Sequence, residues 1–202
     1  MAHQRAEQKQ RTRARILAAA RKLFSFPGYD QTTIRMLASE ASVAAGSVFT
    51  TFESKEDVLL AIATEKYDEL ADHLAAALAV AAGSVRERLK LAYAAAYAFE
   101  HNRLSLLMAQ LGASWTWSHA MENRSQERLA RPFGFISTLL AEAVASGELR
   151  PDTDVALLAD IFLGLYIRNF RHAWFRELQP AATADLAARQ IDLVFDGVCA
   201  GR

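Results

Sequence analysis

Residues 32–55 read TTIRMLASEASVAAGSVFTTFESK, and two short helical patterns lie inside them. Ile34, Leu37, Ala38 and Ala41 fall at i, i+3, i+4 and i+7, the apolar face of one helix. Thr32, just before it, supplies a capping oxygen. The pattern breaks at Ser42-Val43, and a second short helix carries Val48 and Phe52 inward, one turn apart. Two short amphipathic helices joined by a tight turn make a helix-turn-helix, whose second helix fits a DNA major groove. Any all-helical protein contains such pairs, so periodicity alone leaves the partner of this unit open.

Upstream, Ile16, Ala19, Ala20, Leu23 and Phe24 predict a supporting helix from about Thr12 to Ser25. Pro27-Gly28 stops it, because Pro cannot continue a helix and Gly accepts a left-handed turn. Residues 1–12 read as a disordered basic arm with Arg5, Lys9 and Arg11, either a solvated terminus or a segment that tracks phosphates. Downstream, Ser54 with Asp57 opens a fourth helix. Its apolar series Leu59, Ile62, Ala63, Tyr67, Leu70, Leu74 and Leu78 runs unbroken to about Ala82, a rod of about 40 Å. Ser84 with Glu87 caps a fifth helix to about His101. Further helical patterns cover 104–119, start near Pro132 and end at Ser146-Gly147, follow Pro151-Asp152, and run from about Thr183 to Cys199. No strand alternation or repeat occurs, so the fold class is all-α: a three-helix N-terminal domain over 1–53 and a helical bundle over 54–202.

The formal net charge is zero, but residues 1–55 carry nine Lys/Arg against four Asp/Glu, and residues 56–202 are acidic in compensation. A basic module facing a polyanion, beside an acidic module with another task, accounts for that asymmetry. The single Cys199 excludes an intramolecular disulfide and fits a reducing cytoplasm. The uncharged apolar run Leu74–Val85 is well short of the roughly 20 residues a membrane span needs, and the N-terminus has no signal pattern. The five histidines are scattered and unpaired, and no P-loop, G-x-S-x-G or G-x-G-x-x-G occurs, so neither metal, cofactor nor enzyme activity is expected.

The wording of residues 19–59, AARKLFSFPGYDQTTIRMLASEASVAAGSVFTTFESKEDVL, closely resembles the N-terminal signature of the TetR family of transcriptional repressors. The matching features are Ala19-Ala20, Leu23-Phe24, Gly28-Tyr29, Thr32-Thr33, Leu37-Ala38, Ala41, Val43, Gly46, Phe52 and Ser54-Lys55-Glu56. The resemblance implies a homodimer that binds double-stranded operator DNA and a small-molecule effector. Gly46 costs about 1 kcal/mol of helix propensity, explained either by tight packing or by close approach of backbone to DNA. Ala44, Ala45, Ser47, Thr50 and Thr51 are the expected outward residues, reading DNA by hydroxyls and methyl contacts. Arg35 is the one long cation placed to take a guanine, or else a solvated surface group. Thr33, Thr50, Thr51 and Lys55 are expected on phosphates. Phe49 stands where the family usually has Tyr with its hydroxyl on a phosphate, and Thr51 where His is common. The apolar part of the Phe49 contact can survive with one hydrogen bond missing, and neither change removes the motif.

In the C-terminal half, rings at helical spacing ordinarily mean core. Here they occur with His101, Asn102, Gln110, His119, Asn123 and Asn169, which suits an apolar pocket with polar anchors. Tyr97, Met108, Leu111, Trp115, Phe133, Phe162 and Tyr166 are the candidate lining residues for an apolar or aromatic effector that releases DNA. The family resemblance puts dimerisation on the last two long helices, with Leu158, Ile161, Leu165, Ile191, Val194 and Val198 as interface candidates. A helical enzyme for an apolar substrate and a protein-binding adaptor are the alternatives, and a basic face confined to the first 55 residues disfavours both.

Overall fold

The computed structural model describes residues 2–198, with side chains from Gln4 to Gly197. These residues form ten α-helices and no strand: α1 Ala2–Leu23, α2 Ile34–Glu40, α3 Ala45–Phe49, α4 Lys55–Ala63, α5 Tyr67–Ala79, α6 Val85–Glu100, α7 Leu104–Ser114, α8 His119–Ser146, α9 Val155–Phe175 and α10 Pro180–Val198. Cys199 lies outside the described residues. The chain divides into two compact units, Met1–Lys66 with Ser105–Ser125, and Tyr67–Leu104 with Gln126–Arg202. No helix among the described residues is long and apolar enough to cross a membrane.

In the first unit, Ile16, Ala19, Ala20 and Phe24 meet Leu37, Ala38 and Ala41 of α2 and Val48 and Phe52 around α3. Val58, Leu59 and Ile62 of α4 belong to the same core, and Leu106, Ala109 and Ala113 of α7 pack against it. The expected division at residue 53 therefore falls inside this unit, since detaching α4 would open its core. The expected disordered arm is helical: α1 begins at Ala2, with Gln4–Arg11 exposed on every side. Gln, Ala, Glu, Lys and Arg are strong helix formers, so this segment is helical without an apolar stripe to announce it.

The turn after α1 uses Gly28 at φ +115°, where a side chain would be strained. Thr32 does not cap α2. Its buried hydroxyl lies 2.7 Å from the Gly28 carbonyl and 3.1 Å from that of Leu23, tying the turn together. Thr33 is the cap instead, its hydroxyl oxygen accepting from the Met36 amide at 3.2 Å. α2 ends with Val43 N–H on the Ala38 carbonyl at 2.9 Å and Ser42 N–H on that of Ser39 at 3.0 Å, with Ser42 at φ +50°. This is the Schellman arrangement, here built on a serine, and Arg15 donates to the Ser42 carbonyl at 2.6 Å.

The expected long fourth helix is interrupted between Ala63 and Tyr67. Thr64 donates both its amide (3.0 Å) and its hydroxyl (2.7 Å) to the Leu60 carbonyl, a back-bond that bends helices. Arg21 donates to Glu65 in the break at 2.8 Å. Leu59, Ile62, Ala63, Tyr67 and Leu70 are all buried, so the apolar series continues through a break that it does not reveal. Pro132, expected near a helix start, lies inside α8, which begins at His119 and forgoes the one bond that proline cannot donate.

In the second unit α6 packs against α5 and α10, and α10 packs against α9. Ser84 caps α6, accepting from Glu87 N–H at 3.2 Å. Across the α6–α10 seam Asp192 takes Lys90 at 2.7 Å and Arg86, which reaches on to Asp196 at 3.0 Å. The Lys90 hydrogen bond, followed by that from Arg86, holds the Asp192 carboxyl below the usual range. A depressed carboxylate contributes stability that is present above its unfolded pKa and is lost as pH falls through the folded value. Asp192→Asn is therefore expected to lower the unfolding midpoint at pH 7, with the difference closing near pH 2. Thermal melts over that range check it.

Candidate DNA interface and ring cluster

α3 is a five-residue helix, so packing decides its orientation. Val48 is buried, Phe52 just beyond it is buried, and Arg13 of α1 lies over the Phe52 ring with its guanidinium 4.9 Å from the centroid. That turns Ala44, Ala45, Gly46, Phe49 and Thr50 to solvent, with Ser47 and Thr51 half-buried at the edges. Phe49 is 60% exposed, a large apolar ring held outward. A Cβ added at Gly46 would meet nothing within 4 Å, so internal packing does not require this glycine.

The polar groups around this face are unequally available. Thr33 uses its oxygen as the α2 cap, which leaves its proton free to point outward to an acceptor. Thr50 and Thr51 both donate to the Ser47 carbonyl, at 3.1 and 2.7 Å, and offer lone pairs rather than protons. Arg35 is exposed on α2. Lys55 is half-buried, donates to the Tyr29 carbonyl at 3.0 Å and sits 4.1 Å over the Tyr29 ring, so one of its three protons is already committed. Tyr29 in turn donates to Glu56 at 3.2 Å, and its phenol is pushed up by burial and then by the Glu56 charge. Arg124, at the start of α8, pairs with Glu53 and Asp57 at 3.4 Å each, flanking the end of the α3 turn and the start of α4. Periodicity did not point to that clamp, because an arginine seventy residues away carries no local signal.

The second unit gathers Tyr97, Phe133, Phe162 and Tyr166 with Tyr93 and Phe170. Tyr97 and Tyr166 stack at 5.1 Å, Phe133 and Phe170 each lie 4.7 Å from Tyr166, and Phe162 is 6.4 Å from Tyr93. The other lining candidates, Met108, Leu111 and Trp115, belong to the first unit. Trp115 is 90% exposed, because α7 ends at Ser114 and leaves the ring beyond its packed face. Polar groups thread the cluster. Tyr93 donates to the Phe162 carbonyl at 2.7 Å, and Asn169 donates to the Tyr97 hydroxyl at 3.1 Å and to Gln190 at 2.7 Å. Glu100 is buried beside Arg103 at 2.9 Å, and burial raises its carboxyl despite that partner. The Tyr166 hydroxyl and the Asn169 Oδ1 are buried with no hydrogen-bond partner. No cluster of metal-ligating side chains occurs among the described residues.

Of the interface candidates, Leu158 and Ile191 are buried within the chain itself. They follow the inward stripes Leu158-Phe162-Tyr166-Phe170 of α9 and Thr183-Ala187-Ile191-Phe195 of α10. Leu165 and Val194 are half-buried, Ile161 is 45% exposed, and the Val198 side chain lies outside the described residues. Further outward apolar residues on these two helices are Leu157, 58% exposed, Trp174, 44%, Phe175, 65%, and Leu193, 74%.

A short helix held outward by a buried core, rimmed by hydroxyls and cations, defines a helix-turn-helix DNA-binding protein. A family model described as "Bacterial regulatory proteins, tetR family" matches residues 16–62. The "Fatty acid metabolism regulator protein" of Bacillus subtilis is 23% identical over 195 residues, covering 95% of this chain and 98% of its own. The "HTH-type transcriptional repressor KstR2" of Mycolicibacterium smegmatis is 24% identical over 186 residues, covering 92% and 90%. The crystal structure of FadR from Bacillus subtilis in complex with stearoyl-CoA shares the fold at TM-score 0.73 and 19% identity, covering 88% of this chain and 96% of that one. Residues 16–62 thus carry the domain of the tetR family of bacterial regulatory proteins, and over nine-tenths of its length the chain is similar to a metabolism regulator and a transcriptional repressor.

Gly46→Ala separates folding from binding. The fold is expected to gain up to about 1 kcal/mol in denaturant unfolding. DNA affinity is expected to fall in anisotropy titrations, because the methyl occupies the approach path.

Proposed function

We propose that the chain is a homodimeric repressor that holds an inverted-repeat operator through two copies of α3 and releases it when an apolar molecule enters the ring cluster of the second unit. The observation that carries the effector reading is the pair of unmet polar atoms, the Tyr166 hydroxyl and Asn169 Oδ1, set among buried rings. Leaving a buried polar group unpaired costs about 1–3 kcal/mol, a poor arrangement for a core whose only task is stability. It is a useful one for a site that orients an apolar ligand through a single carbonyl or hydroxyl. Long-chain acyl thioesters are the first class to test, since the FadR structure holds stearoyl-CoA.

The homodimer is supported by the outward apolar residues Leu157 and Ile161 on α9 and Leu193 on α10. Two copies of α3 related by a dyad meet one duplex face at half-sites about one helical turn, or a multiple, apart. Ile161→Glu is expected to shift the chain from dimer to monomer by light scattering and to abolish binding to the inverted repeat recovered by selection from random DNA. A stable dimer in that variant would move the interface elsewhere.

Effector release requires linkage: ligand and operator must weaken each other by the same factor. Stearoyl-CoA is the probe, titrated with and without saturating operator. Tyr166→Phe removes the unmet hydroxyl and is expected to raise stability by about 1 kcal/mol while lowering ligand affinity. Ligand affinity unchanged by operator would refute the switch, and ligand affinity unchanged by Tyr166→Phe would remove that hydroxyl from the site.

A further inference from the structure

We propose that the projecting first half of α1, residues 4–13, is a second DNA-contacting element that holds phosphates outside the half-site met by α3. The proposal rests on DNA binding by the helix-turn-helix. Gln4 to Arg11 are exposed on every side, and the packed part of α1 starts only at Ile16. Residues 2–12 thus carry the helix about 16 Å beyond the packed core, a length equivalent to about five base pairs. Arg5, Lys9 and Arg13 recur every fourth residue, on the side of the helix that carries Ile16 and Ala20 further along. At Arg13 this side reaches the Phe52 ring, 4.9 Å from its centroid and directly beyond α3. The stripe therefore ends against the core residue that follows α3. Arg11 adds a cation on the opposite side, and Glu7 is the single acid in the segment.

The chemistry of the segment selects its partner. Ala6 is the one apolar residue between Gln4 and Arg13, so there is no face to bury in a lipid interface or in a protein core. What remains is one cation per helical turn, matched to an extended polyanion. The contact is to backbone charge and carries no sequence information.

The test uses the full chain, Arg5→Gln/Lys9→Gln/Arg11→Gln, and two operator duplexes. One duplex ends at the outer edges of the half-sites and the other extends about six base pairs further on each side. Glutamine keeps helix propensity, and circular dichroism verifies that helix content is unchanged. The full chain is expected to bind the long duplex more tightly than the short one, with a steeper salt dependence. The triple variant is expected to bind both duplexes alike, with the log–log salt slope shallower by up to about 2.7 per protomer, about 0.9 for each phosphate released. The same proportional loss is expected on flanks of scrambled sequence. Equal affinities and slopes for wild type and variant on the long duplex would overturn the proposal, while operator binding by the wild type would leave the helix-turn-helix reading intact. A loss confined to one flank sequence would replace phosphate contact by base readout and overturn it also. So would unchanged DNA binding combined with lost sedimentation on anionic phosphatidylserine vesicles.

Discussion

A helix of five residues has no stability of its own in water, and the DNA-facing surface is built on one. Everything about the first unit follows from that constraint. Val48 and Phe52 bury themselves in a core shared by α1, α2 and α4, and the depth of that burial sets the direction of Gly46, Phe49 and Thr50. The turn before α3 is held independently, by the Schellman bonds and by Arg15 on the Ser42 carbonyl. The segment after it is held by the Ser54 cap and by Arg124 between Glu53 and Asp57. A change that loosens any of these supports reaches the recognition surface without touching an exposed residue.

The second unit is organised on a different principle. Its core is rich in rings, yet Tyr93, Tyr97, Asn169, Gln190, Glu100 and Arg103 run a polar seam through it. Such seams are expensive unless every group is paired, and two atoms here are not. The first unit spends the hydroxyls of Thr33, Ser54 and Thr64 on caps and turns, and it buries Trp117 Nε1 and Arg124 Nε without a partner. The second keeps two such atoms, the Tyr166 hydroxyl and Asn169 Oδ1, inside its ring cluster.

The parts legible in the sequence were those where local rules and packing agree. The α2 stripe, the inward Val48 and Phe52, the caps at Ser54 and Ser84 and the all-α class all came from spacing and from side chains that act on their own neighbourhood. Reading failed where the decisive contact was hidden from the pattern. The break at Thr64 lies in an unbroken apolar series, because the hydroxyl that makes it is silent in hydropathy. Residues 2–12 lack an apolar stripe and so looked disordered, though their propensities are helical. Leu158 and Ile191 sit at ideal spacing, but the same spacing serves a monomer core and a dimer face equally well. Trp115 is 90% exposed, and a ring at helical spacing does not by itself tell an outward position from an inward one.

Thr33 carries a demand from each side of the protein surface. Its oxygen lone pair closes the first turn of α2, and that bond does not use its proton. For the helix alone, Asp and Asn are at least as good at this cap as a hydroxyl residue. For a neighbour that is itself an anion, Asp is the worst choice, because it has no proton to give and adds a repelling charge. Optimising the domain for thermal stability by the usual capping rules would thus pick, at this position, a residue that would repel any phosphate brought to it. Serine and threonine meet both requirements through one small group with two functional ends.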